Sequence, residues 1–229
     1  MSSLGAIART NPELIRNMIH ANDDGTYTVT FHQRRLPWEP GSGEFKSVAI
    51  TVNGELPVIG GQPAFAGADD CAPGAGQELW VGLVEKAYAT YRGGYGITGL
   101  GGYPANAMET ITGKPSQSQP PDTLPFDELA RRFQAGEAVA ASTLYDLKID
   151  LDLGGTHVGP IELPDRSDEE REFKNGTLIA SHAYFVTGVD TARHTVTVQN
   201  PWGKERAPVT LGYADFQRLF ADIAFNPTR

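Results

Sequence analysis

Cysteine is almost absent from this sequence. Cys71 is the only one among 229 residues, which excludes an intrachain disulfide framework and suits a reducing compartment. No apolar run approaches the roughly 18 residues of a membrane span, and no signal-peptide pattern opens the chain. The location is thereby left open between the cytoplasm and export as part of a larger protein. Positive charge is in deficit: 19 Lys and Arg against 28 Asp and Glu give a formal charge of −9. No basic cluster offsets it, which argues against nucleic acid or an anionic membrane as partner. Internal repeats are lacking too. What is present is ordinary for a globular protein with a full core, 40% hydrophobic and 21% charged residues. The 16 prolines and 26 glycines predict many loops.

Leu4, Ile7 and Ala8 have the spacing of the last turns of an apolar helix that begins before Met1. A second helix is predicted from Asn11-Pro12, an N-cap followed by proline at the first helical position, with Leu14, Ile15, Met18 and Ile19 inward. Strands are predicted at 25–33, with Tyr27, Val29 and Phe31 on one face, and at 45–52, with Val48, Ile50 and Val52 aligned. The strongest helical pattern runs from 78 to 91 through Leu79, Trp80, Leu83, Val84, Ala87, Tyr88 and Tyr91. A glycine-rich turn at 93–102 leads to a short helix near 105–112. Lys114 to Thr123 reads as a polar, proline-rich surface connector. A helix at 126–133 is ended by Gly136, then come a strand at 137–145 and an irregular acidic excursion at 146–176. Near the end, a strand at 208–211 and a helix at 213–220 precede Ile223-Ala224-Phe225, which closes the sheet. Helices mixed with antiparallel strands, without βαβ alternation, indicate an α+β fold.

The most informative segment is 182–203. Residues 182–190 and 194–199 are rich in aromatic and β-branched types, and Asp190-Thr191-Ala192-Arg193 reads as the turn of a β-hairpin. A hairpin centred on Thr191 sets His182 opposite Asn200, with Cβ atoms roughly 5 Å apart. Pro201 lacks an N–H and stops the second strand where the amide is needed. A buried amide that accepts from one imidazole nitrogen fixes the tautomer and leaves the other nitrogen to act as a base. A cysteine thiolate requires that arrangement.

Further motifs carry a resemblance. Trp80 with Leu83-Val84-Glu85-Lys86-Ala87-Tyr88-Ala89 is similar to the tryptophan-led helix of calpain-type cysteine protease domains. Gly94-Tyr95, Gly101-Gly102 and Thr112-Gly113 resemble the segment after that helix in calpains, and Leu4 to Ile19 resembles the tail of the nucleophile helix and its successor. His182-Ala183-Tyr184 with Thr187-Gly188-Val189, then Asn200-Pro201-Trp202-Gly203, matches the family's histidine and asparagine motifs in order and spacing. The short loops resemble a bacterial calpain-like module more than an animal calpain. The resemblance implies a papain-like core, with residues 1–77 as the remainder of the nucleophile-side subdomain and 78–229 as the subdomain bearing the antiparallel His/Asn sheet. It implies His182 as general base, Asn200 as its orienter, and Trp202 as the indole that shields their hydrogen bond. The family's nucleophile lies in a glycine-aspartate-cysteine-tryptophan motif that would fall immediately before Met1, together with a glutamine of the oxyanion hole. The expectation is a core cut just downstream of its nucleophile, with the apolar face of Leu4, Ile7 and Ala8 exposed by the cut.

Other residues invite and lose a functional reading. Cys71 stands beside Asp69 and Asp70, which raise a thiol pKa, and Pro73-Gly74 argue against an activating helix N-terminus. Gly94 to Gly99 matches GxGxxG but comes after a long helix rather than a strand, so a turn demanding positive φ is the better reading. Asp150 and Asp152 before Gly154-Gly155 lack regular cation-loop spacing and read as a solvated loop. Lys204 to Pro208 offers one carboxylate, Glu205, beside two cations, which argues against calcium there, and the partners of Glu78 in a calcium set would lie outside the sequence. His20, His32, His157 and His194 read as surface or structure. The expected function is that of a calpain-like cysteine endopeptidase acting on an extended polypeptide in a cleft, with no cofactor, no metal and no nucleophile within the chain. The alternative is an inactive pseudoprotease or fragment that binds a polypeptide or regulates a partner.

Overall fold

Small side chains on one strand allow two cores to form on opposite faces of one sheet. The computed structural model describes residues 1–59, 62–63, 79–99, 101–144, 151–153, 156–158, 178–202 and 207–229. Helices α1 (Ser2–Thr10) and α2 (Pro12–Met18) lead into β1 (Ile19–Ala21), β2 (Thr26–Arg34) and β3 (Phe45–Asn53). Asn11 caps α2 as expected, its Oδ1 accepting from Leu14 N–H at 3.2 Å. Those three strands make an antiparallel sheet in sequential order. A two-residue pair, β4 (Val58–Ile59) with β5 (Gln62–Pro63), precedes α3 (Trp80–Arg92), α4 (Tyr95–Gly99) and α5 (Pro104–Thr112). The helix α4 was not anticipated. The positive φ expected in that stretch is present at Gly93 (+96°) and Gly94 (+121°), where the chain leaves α3 and Gly94 N–H bonds Ala89 O at 2.7 Å.

The remaining elements are β6 (Gln117–Gln119), α6 (Phe126–Gln134), β7 (Ala138–Thr143), β8 (Leu151–Leu153) with β9 (Thr156–Val158), β10 (Ala183–Asp190), β11 (Thr195–Gln199), β12 (Val209–Gly212), α7 (Tyr213–Leu219) and β13 (Phe220–Asn226). Six of them form one antiparallel sheet in the order β12-β11-β10-β7-β13-β6. The fold is therefore α+β. The stretch expected to be a plain surface connector instead supplies an edge strand, β6, so β13 lies inside the sheet rather than closing it. Polar side chains on that edge, Gln117, Ser118 and Gln119, suit a strand with one side in water.

Successive side chains of a strand point to opposite faces. Along β7, Ala138 and Ala140 join a core with Leu4, Ile7, Ile15, Phe31, Leu83 and Ala224. Val139 and Ala141 join a second core with Leu129, Tyr184, Val198, Phe216 and Phe225. The alanines let α1 lie close against β7 and β10. Gly5 does the same, since a Cβ there would stand 2.9 Å from the Phe185 ring. The expectation for α1 is thus corrected. Leu4 is 4% and Ile7 0% exposed, because the sheet, α2 and α5 cover the face that the sequence alone left unpartnered. The expected division after residue 77 lies outside the described residues, and α3 shares its core with elements from the N-terminal stretch.

Two measurements check this packing. Ile7→Ala should destabilise the chain by about 2–5 kcal/mol in urea unfolding, as for a fully enclosed aliphatic side chain. Burial pushes the His32 imidazole below its ordinary value, so the unfolded chain binds the proton more readily. Stability should be full above the ordinary histidine range of about 6.5 and fall as pH drops through the lower folded value. His32→Gln should flatten that part of the stability–pH curve.

Candidate active site

His182 comes after a turn in which Ser181 has φ +54°, in the left-handed region. The turn is braced from below: Ile179 N–H donates to Tyr184 Oη at 2.9 Å. Tyr184 is buried, and its ring stands edge-on to the imidazole with centroids 5.1 Å apart. Asn200 comes directly after β11 and is 4% exposed. Its Oδ1 accepts from the Trp202 backbone N–H at 2.9 Å, across the kink at Pro201. A backbone N–H can only donate, so this bond fixes which end of the amide faces inward. The same Oδ1 lies 3.2 Å from His182 Nε2. An amide oxygen can only accept, so Nε2 carries the proton and Nδ1 carries the basic lone pair. The Trp202 indole covers the pair, 4.5 Å from the imidazole and tilted by 60°, while 60% of its own surface stays exposed.

The side chains meet, but not by the expected register. Phe185 pairs with Gln199 and Val186 with Val198; then Thr187 bulges, and Gly188 pairs with Thr197. Continued past the strand end, this register sets Asn200 opposite Tyr184 rather than His182. The turn also runs further than Arg193. His194 belongs to it at φ +55°, held by stacking on Phe126 at 3.9 Å and by Tyr213 N–H donating to its carbonyl at 3.0 Å. Asp190 closes the tip by accepting from the N–H groups of Ala192 and Arg193 at 2.9 and 3.0 Å. The Arg193 N–H bond first, with its guanidinium assisting, holds the Asp190 carboxyl below its usual range. The strands thus deliver His182 and Asn200 two residues out of register, and the turns at Ser181 and Pro201 bring them together.

The other residues singled out by the sequence do not join this cluster. Cys71, Glu78, Asp150 and 204–206 lie outside the described residues, and for Asp152 and His157 only the strand positions are described. Among the described residues, no group of three or more His, Cys, Asp or Glu side chains could hold a metal ion. A concavity of about 400 Å³, lined by Asn11, Glu13, Asn17, His32 and Thr112 among others, contains neither His182 nor Asn200. The sequence reading missed Tyr184 as the brace under the histidine. Its signal in the sequence was the spacing, since Tyr184 lies two positions after His182 and shares its face in an extended chain.

Residues 1–208 match the family described as calpain family cysteine protease. The chain belongs to the calpain family. Among its relatives, calpain clp-4 of Caenorhabditis elegans is 28% identical over 167 residues, which is 70% of this chain and 20% of that protein. Calpain-13 of Rattus norvegicus is 27% identical over 216 residues, 89% of this chain and 27% of that protein. Calpain-8 of Homo sapiens is 27% identical over 215 residues, 88% of this chain and 26% of that protein. This calpain-family chain thus spans roughly a quarter or less of the length of these relatives. Among its described residues, no helix is long and apolar enough to cross a membrane.

The proton assignment is directly measurable. Imidazole ¹⁵N shifts should give His182 predominantly as the Nε2–H tautomer at neutral pH. Asn200→Ala should return it to a tautomer mixture, and Asn200→Asp should raise its pKa by adding a negative charge beside Nε2.

Proposed function

We propose that this chain supplies the base and its orienter to a cysteine endopeptidase of the calpain type, which hydrolyses peptide bonds in an extended polypeptide. The observation that supports this reading is Asn200 Oδ1 facing His182 Nε2 at 3.2 Å beneath the Trp202 indole. Nδ1 of His182 takes the proton of a cysteine thiol, and the thiolate attacks the scissile carbonyl carbon. The tetrahedral adduct collapses as the imidazolium gives its proton to the departing amine, leaving a thioester. Water, deprotonated by the same Nδ1, then releases the carboxylate product and the thiol. Through each cycle Asn200 accepts from Nε2–H without taking the proton, so the ring neither rotates nor changes tautomer.

The thiol in this scheme is not Cys71. Asp69 and Asp70 directly precede it, and neighbouring carboxylates disfavour a thiolate. We assign the nucleophile, and the glutamine of the oxyanion hole, to polypeptide outside residues 1–229. Thiol chemistry of this kind needs no cofactor. The loop at 204–208 offers calcium only Glu205, so no calcium dependence is assigned to it. A second reading, a non-catalytic module that binds a polypeptide or regulates a partner, is favoured by one observation: the only thiol in the sequence sits in the acidic Asp69-Asp70-Cys71 context.

Casein cleavage separates the two readings. The 229-residue chain should show no hydrolysis, since loss of the nucleophile from such a triad lowers turnover by about a millionfold. A version extended at its N-terminus with the glycine-aspartate-cysteine-tryptophan motif should cleave casein. That activity should vanish on alkylation and in His182→Ala. An inactive extended protein whose short form still binds casein would instead establish the binding module. Cleavage by the short chain that Cys71→Ser abolishes would overturn the assignment of the nucleophile.

A further inference from the structure

One buried side chain grips the backbone of His182. Thr143, the last residue of β7, is 0% exposed. Its Oγ1 lies 3.0 Å from His182 N and 2.7 Å from Ile179 O. Its own N–H donates to His182 O at 2.9 Å. A hydroxyl has a single proton. Oγ1 therefore accepts from the His182 N–H and gives its proton to the Ile179 carbonyl, the shorter contact, although the His182 carbonyl is also within 3.0 Å. Next to it, Ser181 N–H donates to Leu144 O at 2.9 Å, and Leu144 N–H to Leu219 O at 3.0 Å. The whole turn before the histidine is fastened to the end of β7, and that end is fastened to the C-terminus of α7.

The turn requires such fastening. Antiparallel pairing of β10 with β7 ends at Ala183 and Ser142, and one residue further out the His182 N–H goes to a side-chain hydroxyl. Ser181 is exposed and holds φ +54°, a conformation disfavoured for residues with a Cβ. Such a residue keeps its conformation only where its surroundings over-determine it. Apolar burial contributes little at an exposed serine, and the hydrogen bonds of Ser181 N–H to Leu144 O and of His182 N–H to Thr143 Oγ1 tie the turn to the β7 end. A backbone rotation at 181–182 would swing the imidazole away from Asn200, because Asn200 is fixed independently by the Trp202 N–H.

We infer that Thr143 is a positioning residue for His182: its hydroxyl fixes the backbone from which the imidazole reaches Asn200. The inference rests on the reading of His182 as the general base. Thr143 touches neither substrate nor the reacting atoms in this assignment and acts only through the histidine. Serine should replace it, because the hydroxyl is what holds the turn. Valine, nearly the same in shape, should not, because it leaves the His182 N–H and the Ile179 carbonyl without their partner.

The test compares the 229-residue chain with Thr143→Val and Thr143→Ser, using imidazole ¹⁵N shifts and amide hydrogen exchange. In the unsubstituted chain the His182 amide should exchange about a hundredfold or more slowly than in an unfolded peptide. Thr143→Val should lose most of that protection and shift His182 from the Nε2–H tautomer to a mixture, while Thr143→Ser keeps both signatures. An unchanged tautomer and unchanged exchange in a folded Thr143→Val chain would overturn the inference. If that variant fails to fold, the decision passes to the other two proteins: rapid His182 exchange in the unsubstituted chain, or loss of the tautomer in a folded Thr143→Ser, also overturns it. Activity assays of the extended protein keep the two proposals apart. Expected signatures at Thr143 together with activity that survives His182→Ala would refute the protease reading and support the clamp.

Discussion

One carbonyl oxygen, Oδ1 of Asn200, organises the candidate site. It accepts from a backbone N–H that cannot do otherwise, and this orients the amide. So oriented, it can face His182 Nε2 only as an acceptor, which decides where the imidazole proton sits and which nitrogen is basic. No charge is involved. A carboxylate in the same place would hold the imidazolium more tightly and raise the histidine pKa. An amide fixes the ring without placing a negative charge beside it.

For that bond to form, two loops must be set by the sheet beneath them. The six-stranded sheet does this because both of its faces are covered. Ala138 and Ala140 on one face admit α1 at close range, and Val139 and Ala141 on the other pack against α6 and α7 with their aromatic neighbours. A strand enclosed on both sides has little freedom to slip, since a shift by one residue would place every side chain in the wrong core. The end of β7 is consequently a stable anchor, and the turn leading to His182 is tied to it. Ser181 in the left-handed region and Pro201 without an N–H are local departures from regular strand geometry. They complete the site because regular pairing would have kept the two side chains apart.

Much of this is legible in the sequence. The Asn11 cap, the alternation in β2, the helical pattern of α3 and the existence of the hairpin all arise from local chemistry: a side-chain acceptor at an N-cap, a repeat of two, a repeat of about 3.6. The family motifs around His182 and Asn200 are legible for the same reason, since each is contiguous in sequence. The hairpin register is not. It depends on whether Thr187 bulges and whether His194 turns left-handed, and the latter is held by Phe126 and Tyr213 from distant parts of the chain. The pairing of β6 with β13 is equally invisible, because three polar residues have no strand periodicity until a neighbour supplies the ladder.

By itself the sequence determined which residues could serve as base and orienter, that strands would be antiparallel, and that the one thiol, Cys71, directly follows two aspartates. These are properties of side-chain types and their order. The tertiary structure decided that Leu4 and Ile7 are covered, that His182 and Asn200 meet across mismatched strand ends, and that Thr143 stands under the turn that carries His182. Each of these is a contact between segments far apart along the chain. Such contacts are selected by how two cores share one sheet, and local patterns of polarity carry no record of that choice.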